Sequence, residues 1–335
     1  MTKKPIPVVV LFGPTASGKT ALLERLFCGG ARISAEVVSA DSMQVYRGLD
    51  IGTAKPPPAL TAVLPHHLID ILDPNEQFNA GEFARLADAA CAAIHGRGLL
   101  PVVSGGAGFY LKSFIQGMPD APPSDATIRE ALYAESKADG GAALLAELRE
   151  ADPESAARIH PNDEYRLIRA LEVFRLTGRP LSAYSVNEGH SRAGYRFLLV
   201  GLERERGELY RRINERCSQM FACRLDDEVR TLFGNGYTPR DPALRAIGYR
   251  EFFIEDYEDC GGWRLSRDLA GVEALVAQHS RQYAKRQITW FKNVSDVTWI
   301  APGESPALDA AAVHEKIDKF MEENSRDTQN EMSAD

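Results

Sequence analysis

Gly13-Pro14-Thr15-Ala16-Ser17-Gly18-Lys19-Thr20 follows directly on the apolar run Val8-Val9-Val10-Leu11-Phe12, and this junction decides the fold. The eight residues spell G-x-x-x-x-G-K-[ST], the pattern of a loop that cradles a di- or triphosphate. Each type has a physical task. Gly13 and Gly18 permit a tight backbone curl that turns amide N–H groups inward, Lys19 supplies a point charge, and Thr20 offers a hydroxyl to Mg2+. The required context is also present: a strand pattern before the loop, and after it a helical pattern (Ala21, Leu22, Leu23, Leu26, Phe27) whose positive end faces the phosphates.

Outward from this loop, strand-like runs recur at Val8–Phe12, Glu36–Ala40, Leu99–Ser104 and Phe197–Gly201, separated by helical patterns such as Ala80 to His95. Alternation of this kind predicts an α/β fold, a P-loop NTPase-like parallel sheet flanked by helices. Between about Pro119 and Arg196 the signal becomes continuously helical after a Pro-rich joint, so an all-helical insertion is expected there. Its clearest helix starts with Asn162 or Asp163 as N-cap and stops at Gly178 with Pro180 beyond. Further helices are expected over Glu208–Ala222, Leu225–Phe233 and Arg267–Lys292, then a short amphipathic helix past Pro306 and a disordered acidic tail from Glu322. The resulting division is 1–118 for the first part of the core, 119–195 for the insertion, 196–303 for the second part of the core and 304–335 for the acidic terminus.

Composition bounds the function classes. The 335 residues, 44% hydrophobic and 26% charged, suffice for a full core. No stretch is apolar enough to span a bilayer and no secretory h-region precedes the first strand, so a cytoplasmic protein without a membrane partner is expected, with a monomer as the default. Five scattered cysteines (Cys28, Cys91, Cys217, Cys223, Cys260) form no C-x-x-C pair and read as reduced thiols. Net charge is −8, but residues 304–335 hold nine acids against three bases, leaving the remaining 303 residues near neutral. Within them Arg281–Lys292 (RQYAKRQITWFK) carries four bases, no acid and interleaved aromatics. That pattern suits a nucleic-acid face, where cations meet phosphate and rings stack on bases, or an amphipathic helix with its rings in the core; composition alone favours the second.

At the end of the second strand, Asp41 emerges beside the phosphate loop, since ligands of an open parallel sheet lie beyond the carboxyl ends of its strands. It is a candidate base or metal ligand, or else a turn-capping residue. The third strand ends in Ser104-Gly105-Gly106 with no Walker B aspartate, and no Asn-Lys-x-Asp GTPase pattern occurs.

Five ordered segments carry a resemblance: GPTASGKT (13–20), SADSMQVYRGLDIGTAKP (39–56), PHHLIDILDP (65–74), RIHPNDEYRLIRALEV (158–173) and KRQITWFK (285–292). Together they resemble the tRNA dimethylallyltransferase (tRNA isopentenyltransferase) family in its bacterial form, from about Val8 to Trp299. The resemblance implies that the loop holds the diphosphate of dimethylallyl diphosphate, with Mg2+ as cofactor on Thr20, and that Arg216 assists the leaving diphosphate. It implies that Asp41 takes a proton from the exocyclic amine of the adenosine 3′ of the tRNA anticodon as that nitrogen attacks carbon. It further assigns RNA contacts to Asp41, Ser42, Met43 and Gln44; to Arg129; to Tyr165, Arg166, Leu167, Ile168 and Arg169; to Arg245, Ala246, Ile247, Gly248, Tyr249 and Arg250; and to Lys285, Arg286, Gln287, Ile288, Thr289, Trp290, Phe291 and Lys292. On that basis the basic terminal helix becomes an RNA face. Two positions depart from the family pattern. Ala107 stands where a threonine commonly touches RNA, and Arg224 stands where a glycine is usual, so a positive φ there would carry strain. The rival readings are a P-loop small-molecule kinase and a non-catalytic P-loop RNA-binding protein.

Overall fold

The computed structural model describes residues 4–118, 121–184, 192, 194–256, 262–303 and 306–332. Its strands are β1 (Ile6–Phe12), β2 (Ala35–Ala40), β3 (His66–His67), β4 (Leu100–Gly105), β5 (Tyr195–Leu202), β6 (Phe253–Asp256), β7 (Gly262–Leu265) and β8 (Val297–Ile300). Its helices are α1 (Lys19–Phe27), α2 (Pro58–Val63), α3 (Ala80–Gly96), α4 (Gly108–Gln116), α5 (Ala126–Asp139), α6 (Ala142–Ala151), α7 (Pro153–Arg158), α8 (Glu164–Thr177), α9 (Arg206–Ala222), α10 (Leu225–Gly234), α11 (Leu269–Phe291) and α12 (Pro306–Met332).

A six-stranded sheet in the order β3-β2-β4-β1-β5-β8, parallel throughout, forms the centre of one unit; β6 and β7 make a separate antiparallel pair. Both sheet faces are covered, which is why β1 reads as an unbroken apolar run. Val8, Val10 and Phe12 pack with α3 and α4, while Val9 and Leu11 pack with α1, α2 and α12. A third cluster gathers α9, α10 and α11 around Tyr46, Leu49 and Tyr249.

The register fixes the site. Ala40 of β2 and Phe12 of β1 both pair with Gly105 of the intervening β4, so Gly13 and Asp41 leave the same sheet edge about 10 Å apart, two strand spacings. Gly105 is required by space: a Cβ there would stand 2.0 Å from the Ala40 carbonyl oxygen.

Close contacts divide the chain into two units, residues 1–115 with 191–335, and residues 116–190. The second is helical, with a core of Leu132, Leu144, Leu148, Leu167, Ile168 and Leu171. Asp163 caps α8 by accepting the Arg166 N–H, and Gly178 ends it in the left-handed conformation, as the sequence indicates.

The disordered tail expected from Glu322 is instead helical as far as Met332, where the last described turn of α12 ends. Ala310, Val313 and Ile317 bury one stripe of this helix against the sheet side carrying α1, which anchors its first half. Residues 333–335, Cys260, and Pro119 and Asp120 of the expected joint lie outside the described residues.

Candidate active site

Gly13 to Thr20 curls between β1 and the first turn of α1. Gly18 adopts φ +102°, open only to glycine without strain, whereas Gly13 is required by space: a Cβ would lie 2.9 Å from both the Leu202 carbonyl oxygen and Ser17 Oγ. Ala16 also takes a left-handed φ of 61°. This unfavourable conformation is braced from outside the loop. Arg212 Nε donates to the Ala16 carbonyl at 2.9 Å and Arg204 Nε to that of Ser17 at 2.8 Å. From α11, Gln287 accepts the Thr15 N–H at 2.9 Å and donates to the Gly106 carbonyl at 2.8 Å. The Thr15 amide is therefore already used. Among the described residues, the amides of Ala16, Gly18, Lys19 and Thr20 have no protein acceptor and are free for an anion. Ser17 Oγ is likewise buried without a partner.

Lys19 Nζ donates to the carbonyls of Gly13 and Pro14 at 2.9 and 3.0 Å. Burial, with the neighbouring Arg216 guanidinium, lowers its pKa to about 8, against a smaller opposing effect of Asp41. Arg216, on α9, reaches Thr15 Oγ1 at 3.2 Å, and burial lowers its pKa despite the nearby Asp41 charge.

Asp41 is the turn-capping residue that the sequence allowed as one of its two readings. Its Oδ1 accepts the N–H groups of Met43 at 2.9 Å and Gln44 at 3.3 Å, an Asx turn that fixes the carboxylate. Among the described residues Oδ2 has no hydrogen bond. Two cavities share a wall made of Thr15, Asp41, Thr53, Arg216 and Tyr283. The first, about 460 Å³, contains Gly18, Lys19, Thr20, Gln44 and Arg212. The second, about 310 Å³, is lined by apolar side chains (Met43, Ile213, Met220, Ile247, Val276) and by Arg245, Arg250 and Arg286. Tyr283 lies between them, its hydroxyl pushed up to about 12 by burial and by Asp41.

The arrangement can grip a diphosphate in one cavity and a flat, partly apolar group in the other, with a fixed carboxylate between. Lys19, Arg212 and Arg216 bring three cationic side chains to the loop cavity. Thr20 lines the first cavity but, among the described residues, no cluster of three His, Cys, Asp or Glu could hold a metal alone. That donor set fits Mg2+, which takes one or two protein oxygens and completes its shell with substrate phosphates and water.

The profile of the IPP transferase family matches residues 44–294. The chain belongs to that family. It is 45% identical over 295 residues to a tRNA dimethylallyltransferase of Geobacter sulfurreducens, covering 88% of this chain and 91% of that one. A second, from Citrifermentans bemidjiense, is 46% identical over 300 residues, covering 89% and 93%. Among solved structures it is similar to the tRNA isopentenylpyrophosphate transferase of Bacillus halodurans, with a TM-score of 0.66, 38% identity and coverage of 97% and 99%. It is also similar to a eukaryotic dimethylallyltransferase solved acting on tRNA, with a TM-score of 0.73, 26% identity and coverage of 89% and 74%.

Several residues assigned to RNA by resemblance fall elsewhere. Leu167 and Ile168 are core residues of the helical unit. Tyr249 and Phe291 are buried, and Gln287 braces the phosphate loop, so these three side chains serve packing and positioning. Gly248 is buried at φ +99°, making a turn. In the helical unit Arg129 and Arg169 are both tied to the fully buried Glu172 carboxylate, at 3.2 and 2.9 Å. Tyr165 and Arg166 are exposed, with the Arg129 guanidinium 5.3 Å from the Tyr165 ring centre. On α11, Lys285, Arg286, Thr289 and Lys292 are exposed while Ala284, Gln287 and Phe291 face inward, and Ile288 and Trp290 are half-buried. The helix is amphipathic as composition favours, with its basic residues gathered on the exposed face. Arg245 and Arg250 are exposed beside the half-buried Ala246 and Ile247; Ser42 and Met43 line the second cavity, and Ala107 is half-buried.

Arg224 takes φ 69°, so the family's glycine position does demand a left-handed residue, and this chain fills it with arginine. Sequence reading missed Arg204, Arg212, Thr53 and Glu228. Arg212 could have been suspected from its spacing of four with Arg216 along α9, which puts the two on one face.

Proposed function

We propose that this chain transfers the dimethylallyl group of dimethylallyl diphosphate to the exocyclic amine of the adenosine 3′ of the anticodon in tRNA. The observation that carries the reading is the wall shared by the two cavities, where Asp41, Thr15 and Arg216 meet beside the phosphate loop. The diphosphate occupies the loop cavity, held by the free amides, Lys19, Arg212 and Arg216, and the adenine enters from the arginine-rimmed side. The amine nitrogen attacks the allylic carbon; the carbon–oxygen bond breaks and diphosphate leaves with the electron pair. The loop amides, Lys19 and Arg216 stabilise the charge that grows on the departing oxygens. Mg2+, held by Thr20 and diphosphate oxygens, would add further charge neutralisation. Oδ2 of Asp41 takes the amine proton. Because an adenine amine is a weak nucleophile, alignment contributes as much as the base does, and the Asx turn that locks Asp41 serves alignment.

The exposed cations Lys285, Arg286 and Lys292, with Arg245 and Arg250 at the rim, are the phosphate contacts of the RNA on this unit. Tyr165 and Arg166 are those of the helical unit. Asp41→Ala tests the reading: transfer should fall by at least a hundredfold while affinity for an anticodon stem loop stays within threefold. Retained transfer would remove Asp41 from the chemistry.

A further inference from the structure

Glu228 stands on α10, outside both cavities, yet one carboxylate ties together two segments that line the second. Its Oε2 accepts the N–H groups of Asp50 at 2.9 Å and Ile51 at 2.8 Å. Its Oε1 accepts the Gly52 N–H at 3.2 Å and the Tyr249 hydroxyl at 2.6 Å. Three successive amides converging on one anion form a nest that the Glu228 side chain fills. The packing around it is tight. A Cβ on Gly52 would lie 2.6 Å from the Tyr249 ring, and the neighbouring Gly248, at φ +99°, lies against the Gly52 backbone. The second segment is pinned a second time, because Glu251 accepts the Gly248 N–H at 2.9 Å and pairs with His279 at 2.7 Å.

These clamped segments have a job within the site. Gly52 and Thr53 line the second cavity, and Thr53 is part of the wall shared with the phosphate loop. Ala246, Ile247 and Arg250 supply another side of the same cavity. Neither segment holds the phosphate loop, whose braces come from Arg204, Arg212 and Gln287.

We infer that Glu228 is a positioning residue for the acceptor: through the Asp50–Gly52 amides and Tyr249 it sets the distance between the two walls that receive the adenine, while the braces of the phosphate loop are independent of it. The inference rests on the transferase reading above. A misplacement of the order of an ångström costs on the order of a hundredfold in reaction efficiency, so a residue that touches neither substrate can still control how well the acceptor is received.

Glu228→Gln is the discriminating change. It keeps volume and one acceptor, but its NH2 group must face either the Asp50 and Ile51 amides or the Gly52 amide, leaving donors opposed and unpaired. With wild type alongside, steady-state transfer to an anticodon stem loop should give at least a tenfold higher KM for the RNA, with the KM for dimethylallyl diphosphate within twofold. Tyr249→Phe, which removes one of four donors and keeps the amides clamped, should move the RNA KM the same way by less. A merely structural role would lower kcat through fewer active molecules and leave both KM values unchanged; that result, or an equal rise in both, would overturn the inference. Wild type that transfers nothing to the RNA would instead overturn the transferase reading on which it stands.

Discussion

Lys19 offers a test in which the size of the effect follows from its surroundings. Its pKa is lowered from 10.5 to about 8, chiefly by burial and then by Arg216. The folded chain therefore gives up this proton before the unfolded chain does. At pH 7 both forms are charged and the folded state carries the full penalty of the buried cation, about 3 kcal/mol; stability rises as pH climbs from about 8 to 10.5. A bound diphosphate supplies the missing counter-charge and raises the Lys19 pKa back up. Binding then takes up a proton above pH 8, and the Kd for dimethylallyl diphosphate should rise by roughly tenfold per pH unit, or about 25-fold between pH 7.5 and 9.5. Calorimetric titration at fixed free Mg2+ measures this directly, because a phosphate ester has lost its own protons by pH 7.5. Lys19→Arg, which keeps its charge throughout, should weaken binding and flatten the profile to within twofold. A wild-type Kd that is constant over this range, or the same slope in the arginine variant, would refute the argument that a desolvated lysine meets the diphosphate.

Gly105→Ala should destabilise the first unit by more than about 3 kcal/mol, read as a lower denaturation midpoint, because its Cβ would meet the Ala40 carbonyl. Arg224→Gly should raise stability by a few tenths to about 1 kcal/mol in chemical denaturation, the relief of a left-handed arginine exceeding the entropy cost of glycine. Glu172→Ala should cost about 3–5 kcal/mol, since it strands Arg129 and Arg169 and removes the acceptor of Ser124 Oγ and the Asp125 N–H. Amide exchange over residues 126–177 should speed up while that of β1, β2 and β4 does not change.

The parts that were legible in the sequence are the periodic and the punctuated ones. The β1 run, the Gly–Lys–Thr loop and the capped α8 each announce themselves within a dozen residues, because strand burial, phosphate binding and helix ends impose local rules. β3, with two residues, and β8, with four, are too short to carry such a pattern and form only because neighbouring strands offer an edge. The braces of the site are invisible for a different reason. Gln287 meets Thr15 across 272 positions, and Arg212 meets Ala16 across 196. A glutamine inside a basic aromatic helix reads as one more RNA contact until the fold turns it inward. The same holds for Leu167, Ile168 and Phe291, whose segment is named by resemblance while their direction is set by packing.

The most direct test of the central claim is transfer of labelled dimethylallyl from its diphosphate, with Mg2+, to a purified anticodon stem loop and to the same RNA with the target adenosine replaced by guanosine. Label in the adenosine RNA alone is the predicted result. Label in both RNAs would contradict an adenine-accepting site beside Asp41; label in neither, with ATP hydrolysed instead, would contradict it too and turn the phosphate loop over to a kinase.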